Sequence, residues 1–339
     1  MKRSSLLFWG GSGISVLLLV LLLRKIDFHS LAEALGRLDL RFLAAAVLFT
    51  FLSYWLRAVR WRYLLIHERP LRLSSLYPAV IIGYMANNLF PARLGEFIRA
   101  WVLAEREQMQ APAVFASLVI DRLFDGFSVM VMLAGVLLTL QLPPGMEQSA
   151  AVLRAGGVTT LIFYSVVIAL LVLLKVRPVA TLALLGKLLK PFPAAVAEKC
   201  IPLAGSFLGG LHVSRRSADL FAVLLSSLLI WLSATLPIYL VLVGFGIHLP
   251  LTASFFIMVL LVFAVMVPAA PGYIGTYHLA CYTGLAAFGL PDTESVSVAL
   301  VIHGVGFFPV ILAGLYHVWS QGVSLASMRK QAVPDGAHQ

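Results

Sequence analysis

The chain is laid out as a series of long apolar runs, at 6–23, 40–56, 75–89, 111–140, 151–174, 218–244, 251–267, 273–289 and 293–320, each bounded by polar or basic residues. A helix needs roughly 20 residues to cross a hydrocarbon core about 30 Å thick, and most of these runs approach or exceed that length. Of the 339 residues, 60% are hydrophobic and 12% charged. A soluble domain is nearer about half and about a quarter, so the solvent for most of this surface must be lipid. That excludes a cytosolic enzyme, a secreted disulfide scaffold and a disordered tail. Cys200 and Cys281 form no C-x-x-C pair and have no metal-ligand spacing, so they read as packing residues. The formal charge of +10 points to membrane orientation rather than to nucleic acid, because basic residues cluster at the ends of apolar runs. The expected fold is an all-α polytopic membrane protein.

Orientation follows from those clusters. Lys2 and Arg3 precede the first run, which is followed by Arg24 and Lys25 rather than a small-residue cleavage site, so it reads as an uncleaved first helix. A second helix over 40–56 ends in Arg57, Arg60, Arg62, Arg69 and Arg72. Placing both termini, 57–72, 93–107 and 175–216 in the cytoplasm puts 19 of the 25 lysines and arginines inside. The expected location is then the inner membrane, with both ends of the chain cytoplasmic. Under this arrangement 75–89 starts and finishes on one face. At about 1.5 Å per residue it reaches roughly 22 Å, too short to cross, and so it predicts a re-entrant hairpin over 75–105.

Sliding the chain by 180 residues superposes Asp39-Leu40 on Asp219-Leu220, Phe51-Leu52-Ser53 on Trp231-Leu232-Ser233, Pro91 on Pro271 and Gly95 on Gly275. With two further residues inserted, Ser117 to Asp121 falls on Ala299 to His303. The helix after Asp39 runs inward and the one after Asp219 runs outward, so the repeat is inverted. The second hairpin, 251–289, then enters from the outer face. The expected architecture has about six spanning helices and two re-entrant hairpins. Its units are a first helix and connector (1–38), a first repeat half (39–174), a cytoplasmic amphipathic segment (175–217), a second half (218–320) and a cytoplasmic tail (321–339). Inverted repeats with broken helices are the architecture of many secondary transporters.

Three constellations carry chemistry. Around the first turn stand Asn87, Asn88, Pro91, Arg93, Gly95, Glu96 and Arg99. Pro91 breaks the incoming helix, the new helix start offers free N–H groups, and the arginines suit a phosphate or carboxylate. An interfacial loop facing headgroups is the plainer alternative. Asp121, Arg122 and Asp125 lie inside the run from Val114 to Leu140. Charges there pair with one another or line a polar path, so a structural clamp and a functional pairing with Arg93 or Glu96 both stay open. No further carboxylate or histidine sits at ligand spacing for a metal. The third set is Pro268, Pro271, Gly272, Tyr273, Gly275, Thr276, Tyr277 and His278, with His303 further on. Glycines permit the tight turn, Tyr273 and Tyr277 suit interfacial anchors, and His278 and His303 are each either a packing residue or a proton carrier.

The strings NNLFPARLGEFIRAWVL, DRLFD and PAAPGYIG resemble the lysylphosphatidylglycerol synthase transmembrane family, over nearly the whole chain. The resemblance implies a lipid-handling role, with Asn88, Pro91, Arg93, Gly95, Glu96, Arg99, Arg122, Asp125, Pro271, Gly272 and Gly275 on family positions. Asp121-Arg122 stands where the family commonly has Glu-Arg. Gly272-Tyr273 and His278 stand where it commonly has a double glycine and a later glutamate. The implied protein is the membrane domain without the aminoacyl-transferring domain.

No phosphate-binding P-loop, zinc-protease or serine-hydrolase motif is present, so neither enzyme activity nor a cofactor is expected. The function expected is a flippase-like transporter moving an anionic (glyco)phospholipid or similar lipid between leaflets. The alternative is a non-catalytic subunit presenting lipid to a separate aminoacyl- or glycosyl-transferase. A membrane lipid is the expected substrate. A soluble transferase and a second copy of the chain stay open as partners.

Overall fold

In the computed structural model, residues 38–65, 70–90, 93–139, 176–191, 194–210, 216–266 and 271–322 are described, with isolated positions between 33 and 169. Among them the chain is helical throughout. Four helices are long and apolar enough to cross a membrane: α1 (Leu40–Leu64), α4 (Ala111–Thr139), α7 (Ser217–Gly244) and α10 (Asp292–Ser320). The two further crossings expected at 6–23 and 151–174 lie outside the described residues or nearly so, as do the turn prolines Pro91 and Pro268.

Between α1 and α4 come α2 (Leu73–Leu89) and α3 (Gly95–Glu107); between α7 and α10 come α8 (Leu251–Met266) and α9 (Thr276–Ala286). With 17, 13, 16 and 11 residues, none of these four spans a core about 30 Å thick. Their ends show that each pair returns to the face it came from. Trp61 near the end of α1 bonds Ser117 near the start of α4, so α1 ends where α4 begins. Tyr77, early in α2, packs edge-on against His317, late in α10, so α10 ends on that same face. Asp39 at the start of α1 donates its N–H to Gly244 O at the end of α7, 3.0 Å away, so α7 ends on the opposite face. That opposite face is also where α10 begins. The first hairpin therefore enters beside the end of α1 and the second from the other side.

The inverted repeat is visible as packing. α1 and α7, the two counterpart helices, lie antiparallel along their length, joined at one end by Asp39 and Gly244 and at the other by Arg60 and Ser227. Other packed helix pairs also have counterparts: α2 on α10 matches α8 on α4, α3 on α4 matches α9 on α10, and α1 on α4 matches α7 on α10. Arg93 and Tyr273, 180 residues apart, both take left-handed backbone, with φ of 53° and 56°. They also face each other across the hairpin tips, the guanidinium 6.0 Å from the ring centre. The pseudo-twofold axis passes between them.

Two expectations change. The helix expected over 40–56 runs on to Leu64, and Arg57 and Arg60 are buried inside the protein instead of serving as cytoplasmic anchors, whereas Arg62 and Arg72 are exposed. Basic residues near a helix end ordinarily sit in the interface; here carboxylates on α4 draw two of them inward. The segment 175–217 forms two helices, α5 (Pro178–Leu188) and α6 (Ala194–Gly210), and α6 packs on α4, with Gly210 against the Ala113 backbone.

The first hairpin is closed by a glycine contact. A Cβ on Gly95 would overlap Gly83 O and stand 2.5 Å from Asn87 Oδ1. Asn87 Oδ1 also accepts the Gly95 N–H at 2.9 Å, satisfying one free donor at the start of α3. Gly95→Ala is expected to lower stability by about 1–3 kcal/mol through overpacking, read as a fall in melting temperature in detergent. Hairpin topology has its own test. Single cysteines at Ser74 and Gln108, both exposed, should label from the same side of the membrane. Labelling from opposite sides would remove the hairpin and the inverted repeat together.

A candidate lipid site between the hairpin tips

The site grows from α4. Asp121 and Asp125 are four residues apart and so share one face of that helix. They are turned inward, 0% and 6% exposed. Charges so buried are stable only when paired and hydrogen-bonded. Their partners come mainly from α1, where Arg57, Arg60 and Trp61 share a face at spacings of three and four. Arg60 is wholly buried; its Nε donates to Asp121 Oδ1 at 2.8 Å and its Nη2 to Asp125 Oδ1 at 2.7 Å. Its Nη1 reaches Ser227 on α7 at 3.1 Å. Arg57 Nη1 donates to Asp125 Oδ2 at 3.0 Å, and its guanidinium lies against the rings of Tyr84 and Trp231.

The first hairpin adds the rest. Arg99, on α3, lies 4.0 Å over the Trp61 ring and reaches Asp121 Oδ2 at 3.3 Å, while its Nε and Nη2 are buried without partners. Arg122 reaches Asp125 at 2.9 Å, Glu96 at 3.4 Å and the Tyr84 hydroxyl at 3.2 Å. Its side chain is about a third exposed, and Glu96 keeps one buried oxygen unpartnered. Four arginines thus stand against three carboxylates, which leaves one positive charge uncompensated. Arg93 supplies another nearby.

One side of this network faces a cavity of 330 Å³ where the hairpin tips meet. Arg57, Glu96, Arg122 and Asp125 form its charged wall, Asn87, Asn88 and Arg93 come from the first tip, and Val265, Met266 and Tyr273 from the second. Trp231, Met258 and Val262 close the apolar side. Arg93 does not join Glu96 and Arg122. Its Nη2 crosses to the second hairpin and donates to Val265 O at 2.6 Å.

The third constellation gathers behind the second tip. His303 Nε2 lies 2.9 Å from Gly272 O; a carbonyl only accepts, so that nitrogen carries the proton. Its ring is 4.7 Å from that of His278 and 4.8 Å from that of Tyr277. His278 Nε2 is buried and unpartnered. Gly272 and Gly275 have φ of 72° and 92°, conformations that glycine takes without strain, and Pro271 opens the short 3₁₀ turn between α8 and α9. Tyr277 lines the main cavity and a smaller one of 170 Å³ between α1, α7 and α10, which also shares Tyr54, Arg57 and Tyr84. Asp121, Arg99 and Arg60 stand behind the wall and do not line the cavity. Among the described residues no group of three or more histidines, cysteines or carboxylates is placed to hold a metal.

The sequence model of a family described as the lysylphosphatidylglycerol synthase TM region matches residues 8–314. The chain belongs to this family. Within the lysylphosphatidylglycerol synthase transmembrane family it has relatives of similar and of greater length. Glycosyltransferase AglD of Haloferax volcanii is 29% identical over 358 aligned residues, which cover 96% of this chain and 56% of that protein. A UPF0104 membrane protein of Pyrococcus horikoshii is 24% identical, covering 89% of this chain and 94% of its own. One from Methanothermobacter thermautotrophicus is also 24% identical, with 89% and 90% covered. The chain therefore spans little more than half of the glycosyltransferase but nearly all of the two UPF0104 proteins. No solved structure matches it.

Proposed function

We propose that this protein moves a lipid with an anionic headgroup between the leaflets of a membrane, the headgroup travelling through the cavity between the two hairpin tips. The observation that carries this reading is the charge balance of the cavity lining: with Arg93 counted, three arginines stand against Glu96 and Asp125, and the buried Nε of Arg122 lacks a partner. A phosphate oxygen satisfies such donors, and the planar fork of arginine suits it. Two short hairpins entering from opposite faces leave little protein between the two aqueous sides, as transport requires. On this reading the chain is not an enzyme. The lipid is its substrate, and the face where α1 ends is cytoplasmic, with the chain in the inner membrane of its cell.

The test is reconstitution in liposomes carrying labelled lipids of several headgroup classes, with a membrane-impermeant quencher reporting exchange. Anionic phospholipids and glycophospholipids should exchange faster than in protein-free vesicles, and zwitterionic ones more slowly than anionic ones. Equal rates with and without protein for every class would end the reading. A second reading is kept by one observation, the likeness to a protein named a glycosyltransferase that extends well beyond the matched part. On it the chain is a non-catalytic subunit that presents lipid to a separate transferase. A transferase coding region beside this one, together with inactivity in the liposome assay, would favour it.

A further inference from the structure

The polar cavity has an apolar neighbour. A groove of 470 Å³ follows α4 from Phe124 to Thr139, with Leu224, Leu228 and Leu232 of α7 as its other wall and Phe255 of α8 at its side. Three of its four hydroxyls turn away from any ligand: Ser128, Thr139 and Ser227 donate to carbonyls four residues back in their own helices, at 2.8, 2.6 and 2.7 Å. What the groove offers is hydrocarbon. Phe127, Val131 and Leu228 are more than half exposed, so it opens outward to the surroundings of the helices.

Trp231 joins the two spaces. It lines both the groove and the polar cavity, its ring lies 5.5 Å from the Arg57 guanidinium, and it is 8% exposed. Its Nε1–H is buried with no acceptor, although a buried indole N–H ordinarily has one. An apolar channel, a cationic cavity and an unsatisfied donor at their junction match the three parts of one amphiphile.

We propose that the groove holds a hydrocarbon chain of the lipid whose phosphate sits in the polar cavity, and that the Trp231 indole N–H donates to an oxygen linking the two. The proposal rests on the anionic-lipid reading above. The groove's length fits a whole chain: Phe124 and Thr139 are separated by about 22 Å of helix, against about 15 Å for one leaflet of a core about 30 Å thick. It also fixes the lipid's direction. Arg122 and Asp125 stand at the end nearer the start of α4, so the headgroup points to the face where α4 begins and the chain points away from it. A lipid drawn from the leaflet on that side arrives with this polarity; one from the other leaflet runs the opposite way.

The test uses the full chain in liposomes with an anionic phospholipid carrying a diazirine at the end of one chain, the crosslinks being mapped by mass spectrometry. Crosslinks are expected at Phe127, Val131 and Leu228, displaced by unlabelled phosphatidylglycerol and not by phosphatidylcholine. Gly135 lines the groove, and a Cβ there meets nothing within 4 Å, so Gly135→Leu fills the groove without disturbing the helix. It should reduce these crosslinks by about tenfold or more, the equivalent of displacing two buried methylenes, while soluble glycerol phosphate still binds the cavity. Trp231→Phe keeps the shape and loses the donor, and should weaken lipid binding about fivefold. Groove labelling no stronger than at Phe308 and Leu312 on α10, and unmoved by Gly135→Leu, would mean a lipid belt only and overturn the proposal. If glycerol phosphate binds while that happens, the groove alone is refuted. If glycerol phosphate fails to bind, the headgroup reading falls and the groove with it.

Discussion

Arg60→Ala is expected to cost about 3–5 kcal/mol of stability, enough to empty the membrane of folded protein, because it strips a partner from buried carboxylates. Its guanidinium is shared between Asp121 at 2.8 Å, Asp125 at 2.7 Å and Ser227 at 3.1 Å, and so ties α1 to both α4 and α7. After its removal Asp121 keeps only the longer contacts to Arg99 at 3.3 Å and Arg122 at 3.4 Å. Arg60→Lys retains the charge without the fork and should recover part of the loss. Yield of monodisperse protein in detergent and melting curves give the measurement. A melting temperature within a degree or two of the parent for Arg60→Ala would show that the network does not hold the fold.

Arg122 should behave in the opposite way. It belongs to the same network but sits at its wet edge, lining the cavity with its side chain about a third exposed. Arg122→Ala is expected to slow transport of an anionic lipid by about 10- to 100-fold per folded molecule, the range set by the loss of one charge-assisted hydrogen bond worth about 1.5–3 kcal/mol. The stability loss should be smaller than for Arg60→Ala, since Asp125 keeps Arg57 and Arg60. Arg122→Lys should restore part of the rate, because lysine brings charge but cannot bind bidentately. The contrary result is a protein that melts earlier and transports at the parental rate per folded molecule. That would make Arg122 a clamp and leave the cavity without its cation.

Much of this arrangement was legible before any coordinates. Helix length decided the hairpins, because 75–89 is too short to cross a bilayer whatever its neighbours do. The inversion followed from charge placement on either side of it. Arg122 and Asp125 stood out as charges inside an apolar run and Glu96 as part of the first turn, and the fold brings Arg122 into ion-pair distance of both carboxylates. Arg57 and Arg60 were missed as site residues, because a basic cluster after an apolar run is the usual mark of a cytoplasmic boundary. Yet Arg57, Arg60 and Trp61 recur at helical spacing opposite an Asp pair at helical spacing, and that complementarity was a readable signal. Tyr54 and Tyr84, their ring centres 4.6 Å apart at a tilt of 48° with Tyr84 against Arg57, carried no signal, since tyrosines in such chains are common anchors. Arg93 was expected on the charged wall. Its left-handed backbone, a property of the turn and not of the residue type, sends it across to Val265 instead.

The two halves share an architecture but hold their hairpins with unequal force. On the first, Arg99 and Glu96 are bound into the ion network of α1 and α4, and Gly95 is locked against Gly83. On the second, among the described residues, the counterpart of Asp121 is His303, and it offers a single imidazole-to-carbonyl bond to Gly272. Around that bond lie three residues with positive φ: Gly272, Tyr273 and Gly275. Parting the tips by lifting the first hairpin would break several buried ion pairs. Parting them by lifting the second breaks the neutral His303–Gly272 hydrogen bond, the Tyr282–Asp292 bond at 2.6 Å between α9 and α10, and the Arg93 tether that both tips share. The duplication has in this way produced a rigid jaw and a compliant one, and the compliant jaw is the one that carries no charge of its own.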